Sequence, residues 1–171
     1  MTSVNKQPRN LTITSMDEEI QNWVYNFVSR PNPLLNNFPP CPFAKKAILD
    51  ERVSIQKFTN WDELSHVAAD WDDSLDVAIW WFHNDRPFES MLKTKLQFNV
   101  VWKPHDFWLL MDHPEKYELV SGVEMNFGLA GLLLLQRFST LVSASKTLDK
   151  QGYYGSWSDD DKEFVRRRNS L

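Results

Sequence analysis

Val77–Phe82 reads Val-Ala-Ile-Trp-Trp-Phe, an unbroken apolar run. It is rich in β-branched and aromatic residues and has no polar face to turn to water. Such a segment belongs in the middle of a sheet covered on both sides. Phe107–Met111 (Phe-Trp-Leu-Leu-Met) is a second run of this kind, and Val53–Phe58 reads as a third strand. Helical patterns separate them. Asn60 and Glu63 form a capping box ahead of Leu64, Val67, Ala68 and Trp71 on one stripe. Asp85 is placed to cap a further helix with Pro87 in its first turn, carrying Phe88, Met91, Leu92 and Leu96 and ending before Pro104. This alternation predicts an α/β fold, a small three-stranded and mostly parallel sheet covered by helices. Right-handed crossovers then bring the C-terminal strand ends to one edge, carrying Thr59, His83 and Asp112-His113. In open α/β sheets that edge is where ligands sit.

The flanking segments read as helix and connector. Ser15 and Glu18 make a capping box, and Ile20, Trp23, Val24, Phe27 and Val28 follow as one stripe that Pro31 ends. Residues 31–42 hold five of the nine prolines and cannot be helical, so they form an ordered connector anchored by Leu34, Leu35 and Phe38. Pro42 suits the first position of a short helix to about Ile48, which puts Cys41 at its N-cap. Phe127 to about Leu148 reads as the longest helix, with Leu129, Leu132, Leu133, Leu141 and Val142 inward. Ser158 caps a last helix, Asp159–Arg168, with four acids and four bases. The expected organisation is a flexible N-terminus over 1–14, one α/β domain over 15–155 and a helical tail over 156–171.

Charge and composition exclude several classes. Nineteen basic against 23 acidic residues give a net charge of −4, which argues against nucleic-acid binding by charge alone. The single cysteine allows no internal disulfide and suits a reducing compartment. The longest apolar run, Phe127–Leu135, has nine residues, well short of the roughly 20 that a membrane span needs. Met1–Ser15 carries no signal-peptide run, so the Asn10-Leu11-Thr12 sequon reads as chance and the expected location is cytoplasmic. No metalloenzyme spacing and no phosphate loop occurs, and no cofactor is assigned. Eight Trp and eleven Phe point either to a ring-rich core or to an exposed aromatic binding surface.

Three groups of residues carry candidate chemistry. Cys41 at a helix start, with Lys45 and Lys46 in the first turn, meets free N–H groups and a partial positive charge that favour the thiolate. The alternative is a buried structural cysteine. His83-Asn84-Asp85 and Asp112-His113-Pro114-Glu115 each follow a buried strand, so imidazoles and carboxylates are placed to converge for acid–base work or a divalent metal. Their alternative is a set of strand ends and helix caps. Arg137 lies among leucines and either meets an acid, binds an anion or turns outward.

Trp23-Val24, Phe27-Val28 and Cys41-Pro42-Phe43-Ala44, then His113-Pro114-Glu115-Lys116-Tyr117 and Leu132–Arg137, resemble the corresponding stretches of a bacterial domain-of-unknown-function family. That family has a Leu-Cys-Pro-Phe-Ala signature and a strand ending in His-Pro-acid-x-Tyr. The resemblance spans about residues 20–140. It supports site positions rather than an activity, and adds Tyr117 as a ligand-binding candidate. The family's Asn-Arg-Ser-Pro-Tyr-Pro-like segment is replaced here by Val123–Gly128. Cys-Pro-Phe-Ala also looks like the cysteine motif of some thioredoxin-like glutathione transferases, where a strand rather than a Pro-rich connector precedes it.

Two functions fit these features. One is a small enzyme or ligand-binding domain with a site near Cys41, His113 and Arg137. There Cys41 is the nucleophile, His113 or His83 the base, Asp112 or Glu115 its orienting acid, and Arg137 and Tyr117 the holders of a small anionic ligand. The other is a non-catalytic accessory protein that meets a protein partner through an aromatic and Pro-rich surface.

Overall fold

The computed structural model describes residues 14–170. The expected flexible N-terminus and its sequon fall on residues outside that range, apart from Thr14. In chain order the elements are α1 (Met16–Trp23), α2 (Ala44–Leu49), β1 (Val53–Lys57), α3 (Trp61–Ala69), β2 (Val77–Phe82), α4 (Phe88–Trp102), β3 (Phe107–Asp112), β4 (Leu119–Val120), β5 (Val123–Glu124), β6 (Gly131–Arg137), α5 (Phe138–Lys150) and α6 (Asp159–Ser170). Ser15 caps α1 with both halves of the capping box formed, and one π turn over Val24–Val28 extends the helix. Asn60 caps α3 through the Glu63 N–H, and the Ser158 hydroxyl accepts from the Asp161 N–H at the start of α6.

The α/β class holds, but the sheet is not three-stranded and mostly parallel. Four strands pair in the order β1-β2-β6-β3, one pair parallel and two antiparallel. β1, β2 and β3 do point the same way, and β6 runs against them between β2 and β3. The expected helix over 127–148 is therefore wrong in its first half. Residues 131–137 are a strand, and the helix begins only at Phe138. An unbroken apolar run fits a buried strand and a buried helix equally well by periodicity. As a central strand, Gly131–Arg137 buries its leucines on both faces: Leu133 and Leu135 join Trp80, Phe82 and Leu109 under α3 and α4, while Leu132 and Leu134 join Ile79 and Ile20 of α1. Gly131 pairs with Phe82, and a Cβ there would lie 2.1 Å from the Phe82 ring. Only glycine admits that ring.

β3 is an edge strand, and α4 closes it. The buried Asn99 donates to the Leu109 carbonyl at 3.0 Å and accepts from the Leu109 N–H at 2.7 Å. The amide thus does the work of a neighbouring strand. A third apolar group lies outside the sheet, where Leu35 of the Pro-rich connector meets Val120 and Val123 of the β4–β5 hairpin. No helix among the described residues is long and apolar enough to cross a membrane.

Candidate functional site

The shared strand-end edge exists. β2 ends beside His83 and β3 beside His113, and the Arg86 guanidinium donates to the Thr59 carbonyl at 3.2 Å across the end of β1. His113 is 2% exposed. Its ring lies between Phe82 and Phe88, with centroids 5.5 and 5.4 Å away. Nε2 meets the Arg86 carbonyl at 2.8 Å, and Nδ1 accepts from the Glu115 N–H at 3.1 Å. These partners assign the proton to Nε2. Both ring nitrogens are thereby occupied by backbone, and neither is left to take a proton from a substrate.

The neighbouring carboxylates are engaged in the same way. Asp112 accepts from the Asn126 amide at 2.6 Å and from the Phe127 N–H at 2.8 Å. Burial pushes its carboxyl above the ordinary range, against the pull of those two hydrogen bonds. Glu115 accepts from the Phe88 N–H at 3.2 Å, closing the start of α4. That role was expected of Asp85. Instead Pro87 holds the N-cap position, where it has no side-chain oxygen to offer, and a carboxylate from another loop supplies the acceptor. His83 is exposed and stands edge-on to Trp81 at 5.3 Å. Tyr117 is exposed and donates to Glu124 at 3.0 Å. Among the described residues no three His, Cys, Asp or Glu side chains converge to hold a metal.

Cys41 and Arg137 lie elsewhere. Cys41 is not the N-cap of α2, because Phe43 occupies that place and Pro42 belongs to the preceding turn. The Phe43 and Ala44 backbone N–H groups pull the thiol down, but burial outweighs them and pushes it up. Part of the residue reaches solvent while the sulfur lies deep, near Tyr153, whose hydroxyl donates to the Pro40 carbonyl. Arg137 ends β6 rather than lying within a helix, and it pairs in register with Phe107 while Leu132 pairs with Asp112. Five strand steps, about 17 Å, thus separate it along the strand from the Asp112 edge. Its guanidinium stacks on Phe107 at 4.5 Å and meets Asp73 at 2.7 Å. Cys41, His113 and Arg137 do not form one site.

The structure also presents features that the sequence reading passed over. On α4, Leu96, Val100 and Val101 face outward. A shallow groove of about 210 Å³ runs between α3 and α4, lined by Val101 with Trp61, Phe98 and Trp102 and by the polar Asp62, Ser65, Thr94 and Gln97. The signal was present in the sequence, since Val100 and Val101 lie outside the stripe that carries Met91 and Phe98. Leu96, expected on the inner stripe, instead faces water.

The chain is thus defined as an α/β protein with a four-stranded mixed sheet, whose strand-end histidine and carboxylates fasten loops to one another. Compared with family models, curated proteins and solved structures, it matches none of them.

Proposed function

We propose that this is a non-catalytic binding protein that receives an amphipathic helix of a partner protein on the outer face of α4. One observation carries the reading. Leu96, Val100 and Val101 are 52%, 78% and 59% exposed within two turns, and Val101 borders a groove floored by Trp61, Phe98 and Trp102. Contiguous exposed apolar surface of this kind marks interaction sites. The helix of 15 residues is about 22 Å long, so the groove beside it suits an elongated apolar guest. Tryptophan and phenylalanine at its floor are residue types that dominate binding energy at interfaces. Leu34 and Phe43 are exposed near the Pro-rich connector, but Leu35 of that segment is buried against the hairpin. The thiol-enzyme reading asks Cys41, His113 and Arg137 to meet, and the contacts above support it at none of the three.

The test is site-specific photo-crosslinking in the cells that make the protein, with the reactive residue at position 100 or at position 45 on α2. The reading expects one discrete protein adduct from position 100, absent from position 45 and lost when Val101→Glu is added. The same adducts from both positions, or none from position 100, contradict it.

A further inference from the structure

A second concave surface lies between α5 and α6 and is independent of the α4 face. It encloses about 330 Å³, near the lower end of small-ligand sites. Lys162, Arg166 and Asn169 fall at i, i+4 and i+7, one face of α6, and turn toward Ser145 and Lys146 of α5. Asp149 is the one acid in the lining. The cations are loosely engaged. Lys162 stands 3.8 Å from Asp159, and Arg166 stands 3.7 Å from Glu163, which bonds Arg167 at 3.0 Å instead. Pairs of this length, each with a partner open to water, are worth little, so the cations are available to a ligand.

Arg168 supplies an independent observation. It is partly buried behind the cleft wall, and its guanidinium donates to the buried Ser145 hydroxyl at 2.7 Å with Tyr154 beside it. Among the described residues no carboxylate lies within ion-pair distance of it. A partly buried cation that meets no carboxylate of the described residues is costly there, and it backs a surface that carries three others. The α6 sequence explains the concentration of charge. Its acids, Asp159–Asp161, crowd the first turn and its arginines the last, which suits the helix dipole and leaves the C-terminal half basic.

We propose that the α5–α6 cleft binds the phosphate monoester group of a small molecule, with Arg166 and Lys146 as its direct contacts and Tyr154 offering a ring face to the rest of the ligand. A phosphate dianion answers several converging cations better than a carboxylate does, and the arginine fork matches its oxygens. The cleft has room for the phosphate and one ring, not for a polymer.

Calorimetric titration of the intact protein with phenyl phosphate, at fixed ionic strength, tests this. Saturable binding is expected, weakened at least tenfold in Arg166→Glu and in Lys146→Glu. It should be unchanged in Lys45→Glu, which alters net charge equally on α2. Thermal midpoints confirm that the variants are folded, and Arg166→Gln repeats the test with a smaller change of charge. No saturation at millimolar phenyl phosphate, or equal weakening in Lys45→Glu, overturns the proposal. Binding confined to vesicles containing phosphatidic acid overturns the small-molecule source.

Discussion

Replacing His113 with alanine tests whether its ring is part of the scaffold. The change removes the partners of the Arg86 carbonyl and the Glu115 N–H, at 2.8 and 3.1 Å. It also opens a gap between Phe82 and Phe88. A buried group left without a partner costs about 1–3 kcal/mol. Glu115 is exposed, so water reaches its N–H and that loss falls at the low end. The two hydrogen bonds together then come to about 2–3 kcal/mol, and lost ring contacts add about 1 kcal/mol. A total near 3 kcal/mol is a large part of the ~5–15 kcal/mol that holds a typical domain. Urea unfolding followed by tryptophan fluorescence should show the midpoint falling by about 1.5 M, for a slope near 2 kcal/mol per M. His113→Phe separates the two contributions, since it refills the gap without restoring either hydrogen bond. It should recover no more than about 1 kcal/mol. A loss under ~1 kcal/mol in His113→Ala, or full stability in His113→Phe, refutes the reasoning.

Three further outcomes follow from the same contacts. Asn99→Leu leaves the Leu109 N–H and carbonyl unpaired on the edge strand, so it should cost about 2–4 kcal/mol in urea unfolding and speed exchange of the Leu109 amide. Gly131→Ala drives a methyl group into the Phe82 ring at the centre of the sheet and should cost at least ~2 kcal/mol; Phe82→Leu should recover part of that loss in the same assay. Because burial raises the folded Asp112 carboxyl above its unfolded value, the folded state holds that proton more tightly. Its contribution is therefore greatest below about pH 3.9 and declines as pH rises toward the folded value. The stability of the native protein relative to Asp112→Asn, measured by urea unfolding across that range, should fall with rising pH.

The strands at Val53, Val77 and Phe107 were legible because apolar β-rich runs bounded by caps and prolines admit few readings. Their common direction was legible too. The fourth strand was not. Leu132–Leu135 carries no polar residue to set a period, and what decides it is the space between β2 and β3 and the ring of Phe82 above Gly131. The strand-end edge was placed correctly, but its use was not evident. Whether His113 serves a substrate or the Arg86 carbonyl depends on how residues 83–87 turn, and no spacing encodes that. Cys41 misled for a related reason. The pull of the N–H groups before α2 is there, but the depth of the sulfur near Tyr153 depends on residues more than a hundred positions away. The α5–α6 cleft joins two segments that read separately as an apolar helix and a charge-balanced tail.

The central claim is that Cys41, Asp112, His113 and Glu115 are committed to the fold. The alkylation rate of Cys41 in the native protein as a function of pH, read by mass, tests it most directly. An ordinary thiol gives a midpoint near pKa ~8.5. Burial raises the Cys41 thiol, so the account predicts slow alkylation at neutral pH, with a midpoint above that value, and a rate that rises sharply when urea unfolds the chain. Rapid alkylation of the folded protein with a midpoint near neutrality would contradict the account and restore the thiol enzyme.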